Sequence, residues 1–167
     1  RKIEEIQKKM KEKVYSDKDI GFDKLDDETI FHYLMKALVY KYLKLRGYEV
    51  RVEEPHSIEE KIKIPDLKAF KKGKEIFVEI ETGYPTKEEK EEFGSEIINP
   101  EERIMSKKKL GKYTNANVML VVPNLFGVIY RRMLKKLKGY FKTKLNVDLT
   151  VYTLDWSSYP CELIKLT

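Results

Sequence analysis

Residues 75–81, Glu-Ile-Phe-Val-Glu-Ile-Glu, limit the fold more than any other part of the chain. Side chains of a strand alternate between two faces. Ile76, Val78 and Ile80 therefore make one wholly apolar face, while Phe77, Glu79 and Glu81 share the other. The apolar face must pack against a covering layer, which makes this strand part of a layered sheet. Two carboxylates on the opposite face are ordinary if that face meets water. They are candidates for chemistry if other groups converge on them.

The neighbouring segments extend the pattern. Residues 66–70 predict a strand, and Lys72-Gly73-Lys74 a tight turn, so a hairpin places Asp66 beside Glu79. Residues 48–53 predict an earlier strand, followed by a polar turn at 55–63. Upstream, Ile30, Phe31, Leu34, Met35, Leu38, Val39, Tyr42 and Leu43 recur at helical spacing. This helix is expected to start from a cap at Asp26 or Asp27 and to end at Gly47. Residues 1–13 predict an amphipathic helix and 16–24 a connector. The expected organisation is an N-terminal helical arm and connector over 1–24, then one domain over 25–167, a length that buries a single core.

Downstream, residues 84–98 are acidic and partly helical in expectation, 100–113 predict a helix, and 118–122 a short apolar strand in the middle of the sheet. Residues 125–141 predict a helix with Phe126, Ile129, Met133, Leu137 and Tyr140 on one face and Arg131, Lys135, Lys138 and Lys142 on another. Strands at 149–154 and 162–166 finish the chain. The predicted class is α/β, a mixed β-sheet flanked by α-helices.

Charge is unevenly placed. The net charge is +6, yet between Arg103 and Val147 there are twelve Lys/Arg and no Asp or Glu. Such asymmetry points to a polyanionic partner, with a membrane surface as the competing use. No apolar run is long enough to span a bilayer, so an integral membrane protein is not expected. A single cysteine, Cys161, rules out an internal disulfide and a cysteine-rich zinc site. With no charged-then-apolar leader layout, a cytoplasmic location is the expectation.

Hairpin pairing would bring Asp66, Glu79 and Glu81 together. Clustered oxygen ligands suit Mg2+ or Mn2+, not zinc. The competing reading is an exposed strand face carrying Glu and a Pro-Asp turn.

The order of the pieces carries more than the letters do. They are Leu45-Arg46-Gly47-Tyr48-Glu49-Val50, Ile64-Pro65-Asp66-Leu67, Phe77-Val78-Glu79-Ile80-Glu81-Thr82-Gly83 and Lys109-Leu110-Gly111-Lys112-Tyr113. Over residues 27–122 this layout resembles the PD-(D/E)XK nuclease superfamily, in outline its archaeal Holliday-junction-resolvase and restriction-endonuclease branches. The resemblance implies a restriction-endonuclease-like sheet and a Mg2+- or Mn2+-dependent endodeoxyribonuclease. It assigns metal binding to Asp66 and Glu79, with the Ile80 carbonyl a further ligand and Glu28 a contribution from the first long helix.

One departure is plain: the family usually has Lys where this chain has Glu81. Some restriction enzymes of the family carry Glu there, and Lys109, four residues before Tyr113, is the candidate substitute. Glu81 then has a role as second-metal ligand or general base. DNA is the expected partner, held through Lys107, Lys108, Lys112, Arg131 and Lys135, and a homodimer is expected from the relatives. Two other readings stay open: a nucleic-acid-binding module that has lost catalysis, and an assembly protein pairing acidic and basic regions between subunits.

Overall fold

The wide apolar stripe of residues 30–45 folds as a helix because it can bury one whole flank. In the computed structural model, which describes residues 2–52, 64–84, 91 and 99–167, this helix is Ile30–Leu45 (α2) and follows Lys2–Ser16 (α1). Its cap is Thr29, whose hydroxyl accepts the His32 N–H. The expected caps, Asp26 and Asp27, fall short because Glu28 closes a separate turn with Leu25 first. The C-terminal end is where the sequence places it. Gly47 adopts φ +85 there, and the N–H groups of Gly47 and Tyr48 satisfy the carbonyls of Lys44 and Leu43.

Strands Glu49–Arg51 (β1), Leu67–Lys71 (β2) and Lys74–Ile80 (β3) form an antiparallel meander. Lys72 and Gly73 both have positive φ, the backbone a two-residue hairpin turn requires. The chain continues through the short helix Pro100–Met105 (α3), a 3-10 turn at Leu110–Lys112 and strand Asn117–Val122 (β4). Helices Asn124–Ile129 (α4) and Arg131–Leu145 (α5) follow, then strands Asp148–Asp155 (β5) and Glu162–Lys165 (β6). The strands make one six-stranded mixed sheet in sequence order, parallel at β3–β4 and β4–β5 and antiparallel elsewhere. The polar turn expected at 55–63 and most of the acidic stretch at 84–98 lie outside the described residues.

β4 reads as a buried strand because both its faces are covered. Met119 and Val121 pack toward α1 and α2, with Leu38, Ile80 and Leu154. Val118, Leu120 and Val122 pack toward α3 and α5, with Ile104, Leu134, Leu137 and Phe141. Each such fully buried Leu or Phe contributes about 1.5–3 kcal/mol relative to exposure. Met10 and Val14 of α1 belong to the first of these cores.

Two predicted helices are each broken, and both breaks matter for the site. The helix expected over 100–113 ends at Met105, with Ser106 extended (ψ 158). Gly111 then lies so close to the Met105 carbonyl that a Cβ would sit 2.2 Å from its oxygen. The sequence sets no Asp or Glu three or four positions from Lys107, Lys108 or Lys109 to support a helix, whereas Asp66 and Glu79 draw Lys109 and Lys112 inward. The helix expected over 125–141 breaks at Tyr130. The break changes the helical phase: α5 buries Leu134, Leu137 and Phe141, while Ile129 and Tyr140 are exposed.

Candidate active site

The β2–β3 register pairs Leu67 with Val78, and one step further sets Asp66 against Glu79. Asp66 is fixed there by its own backbone neighbour: Oδ2 accepts the Ile80 N–H at 2.7 Å. This end of the hairpin lies beside the end of β4, where the Glu81 N–H donates to the Val121 carbonyl at 2.9 Å.

Groups from both helical layers converge on it. From the α2 side, His32 Nε2 lies 3.4 Å from Asp66 Oδ1. The other ring nitrogen, Nδ1, hydrogen-bonds Glu28, and Lys36, itself only 3% exposed, lies 2.8 Å from Glu28 Oε2. From the other side, Lys109 donates to the Ile80 carbonyl at 2.7 Å. Lys112 donates to the Ile64 carbonyl at 3.0 Å and lies 3.1 Å from Glu79 Oε2. The Tyr113 hydroxyl donates to that same Glu79 oxygen at 2.5 Å. From α3, Arg103 lies 3.2 Å from Glu81 Oε1, which also accepts the Gly83 N–H at 2.8 Å. Glu81 Oε2 is buried and has no hydrogen-bond partner among the described residues.

These neighbours set unequal proton affinities. Burial disfavours the Asp66 anion, but His32 and Lys109 beside it, with the bonds from His32 and Ile80, hold it well below the usual carboxylate range. Burial likewise opposes charge on His32, yet Asp66 and Glu28 raise it to about 9, so the ring is an imidazolium at neutral pH. Glu79 goes the opposite way. Burial, then the Asp66 charge, lift it to about 7 against the pull of Lys112, Lys109 and Tyr113. Burial also works against the Lys109 ammonium, but Asp66, Glu81 and Glu79 outweigh it and raise its affinity for the proton. Adjacent carboxyls driven apart in this way can divide labour, one staying charged and one exchanging a proton near neutrality.

The structure separates the sequence-derived candidates. Asp66, Glu79, the Ile80 carbonyl and Lys109 come together. Glu28 does not join Asp66 directly; it lies before α2 and reaches it through His32. Glu81 is turned to Arg103 and Gly83, so the expected convergence of three carboxylates does not occur. Among the described residues, no group of three His, Cys, Asp or Glu comes together as a metal-holding set. The oxygen donors that remain side by side are Asp66, Glu79 and the Ile80 carbonyl, hard ligands of the kind Mg2+ or Mn2+ prefers. Lys112 points into the cluster, with its side chain 9% exposed, while Lys107, Arg131 and Lys135 lie on the surface and Lys108 is half-buried.

Sequence reasoning missed Lys36, which follows Glu28 by 8 residues and folds back on it, and Arg103, which meets Glu81 from a separate segment. An open depression of about 350 Å3 lined by Lys72, Lys74, Phe77 and Asn117 lies at the opposite end of β3 and takes no part in this cluster.

Fold and site together define a mixed α/β protein with a buried, charge-compensated carboxylate–lysine cluster at one end of its interior strands. Compared with known proteins, the chain matches no family model, no curated protein and no solved structure. Among the described residues, no helix is long and apolar enough to cross a membrane.

Proposed function

We propose that the chain is a metal-dependent nuclease on a restriction-endonuclease-like sheet, hydrolysing phosphodiester bonds in DNA. One observation carries this reading: Lys109, from a separate segment, reaches the Ile80 carbonyl beside Asp66 and Glu79. Lys109 would then stand in for the lysine that the superfamily pattern carries at the position of Glu81. Asp66, Glu79 and the Ile80 carbonyl would hold Mg2+ or Mn2+, which when bound offsets phosphate charge and acidifies a water. Lys109 would face the negative charge that builds on the phosphoryl oxygens. The attacking water would lose its proton to bulk water as its oxygen bonds to phosphorus and the ester P–O bond breaks, and the departing oxygen would take a proton from solvent. His32 keeps Asp66 ionised. A homodimer belongs to the same proposal, one centre for each strand of a duplex.

A binding module without cleavage is the second reading. It is favoured by the cations already neutralising the carboxylates: Lys36 on Glu28, His32 on Asp66, Lys112 on Glu79 and Arg103 on Glu81. Linear, branched and single-stranded DNA incubated with Mg2+, Mn2+ or EDTA separates the two. The nuclease reading expects metal-dependent nicking that Asp66→Asn and Lys109→Met each abolish with an unchanged circular dichroism spectrum. Binding without nicking in every metal would replace it with the second reading.

A further inference from the structure

Among the described residues, α4 carries three of the four most exposed large apolar side chains. Leu125, Val128 and Ile129 are 70%, 73% and 61% exposed, and Tyr84, next to the Gly83 that lies against Phe126, is 70% exposed. Contiguous exposed apolar side chains on a soluble domain mark contact surfaces more often than chance. This ledge is also held firmly. Gly127 packs so tightly that a Cβ would lie 2.5 Å from Leu166, and its N–H bonds the Pro123 carbonyl at 2.9 Å. Asn124 accepts a hydrogen bond from Thr153 in β5. Phe126 faces inward, packing on Gly83 and against the Tyr130 ring at 4.7 Å.

Its position joins it to the carboxylate cluster. α4 starts two residues after β4 ends, and Gly83, which Phe126 touches, donates its N–H to Glu81. The ledge therefore stands at the same end of the β3–β4 pair as Asp66 and Glu79. The exposed Arg131, Arg132 and Lys135 follow it directly in α5. An apolar tip flanked by cations beside a phosphate-processing site matches one occupant best: a nucleic acid whose bases are out of their stack. Phosphates meet the cations, while unstacked base faces offer the apolar contact that a paired duplex hides. Aliphatic side chains placed this way elsewhere pry base steps apart.

We propose that Leu125, Val128 and Ile129 form a wedge against unstacked bases, making DNA with unpaired or distorted bases near the scissile phosphate the substrate class. This rests on the nucleic-acid reading above but not on cleavage, so it is tested by binding alone.

Fluorescence anisotropy in EDTA would compare a fully paired duplex with the same duplex carrying an internal unpaired bubble. A 2-aminopurine in the bubble reports unstacking. The parent is expected to prefer the bubble by about tenfold or more, because the bubble spares an aliphatic wedge the unstacking that a paired duplex demands. A Leu125→Ser/Val128→Ser/Ile129→Ser variant should lose that preference and the 2-aminopurine rise, yet bind the paired duplex as the parent does. The single Val128→Ser variant should lose part of it. A parent without preference, or a triple variant that keeps it, overturns the wedge. Capture by phosphatidylserine vesicles that the triple variant abolishes, with no bubble preference in the parent, overturns it in favour of a lipid surface. Absence of all DNA binding at low salt overturns both this inference and the nucleic-acid reading. Bubble preference without nicking in Mg2+ or Mn2+ leaves the wedge standing and removes only the nuclease.

Discussion

Substituting lysine for Glu81 would restore the commoner superfamily pattern, and the structure argues that it would damage the protein. Glu81 is 0% exposed and lies 3.2 Å from Arg103, itself 6% exposed. Lys109 also feels the Glu81 charge. Glu81→Lys would therefore leave Arg103 opposite a like charge in a site closed to water. Breaking a buried ion pair by removing one of its partners costs about 3–5 kcal/mol. In a chain of this length each kcal/mol shifts Tm by about 2–4 °C, so a loss on the order of 10 °C is expected. Trp156, the single tryptophan, packs edge-on against Phe31 at 6.0 Å and gives a fluorescence signal for urea unfolding. Arg103→Met should lose a comparable amount. The double variant Glu81→Leu/Arg103→Met should recover much of it, since an apolar pair replaces two charges. If Glu81→Lys unfolds within about 1 kcal/mol of the parent, below the cost of placing two like charges 3.2 Å apart away from water, the buried pairing of Glu81 with Arg103 is wrong.

Three further outcomes follow from the same geometry. Stability should fall as pH rises from about 4.5 to about 7, because folded Glu79 holds its proton longer than the unfolded chain does. It should fall again between about 6.5 and about 9, where the folded state loses the His32 proton; Glu79→Gln flattens the first limb, His32→Gln the second, and urea midpoints across pH check both. Lys109→Met should tighten Mn2+ binding in calorimetry by about tenfold while ending cleavage, because an ammonium near Asp66 and Glu79 repels a cation there; weaker binding would count against it. Charge reversal at Lys107, Arg131 and Lys135 should flatten the salt dependence of DNA affinity by about 0.9 for each phosphate no longer neutralised, read by anisotropy, and an unaltered slope would remove those residues from the interface.

Much of the architecture is legible from local rules. The α2 stripe, its end at Gly47, the Lys72-Gly73 turn and the strand around Val78 all follow from periodicity and turn chemistry acting over a few residues. That hairpin is also why Asp66 and Glu79 can be paired on paper: turn length sets the register, and register sets the facing side chains. Lys109 is visible only as a candidate, one of three adjacent lysines that composition cannot distinguish.

Tertiary packing decided the rest. Whether residues 100–113 form one helix or a broken one depends on carboxylates in β3 drawing Lys109 and Lys112 inward, a long-range attraction that local propensity does not register. The same applies to Glu81. Strand alternation puts it on the Glu79 face, but Arg103 and the turn at Gly83 determine which way its carboxylate points. Ile129 reads as core at helical spacing, yet the break at Tyr130 leaves it in solvent. The sequence by itself therefore determines the hairpin, the long helix and the two facing acids, because these depend on neighbours in the chain. The cations that meet Asp66, Glu79 and Glu81, and which apolar residues stay uncovered, are settled only by segments that folding brings together.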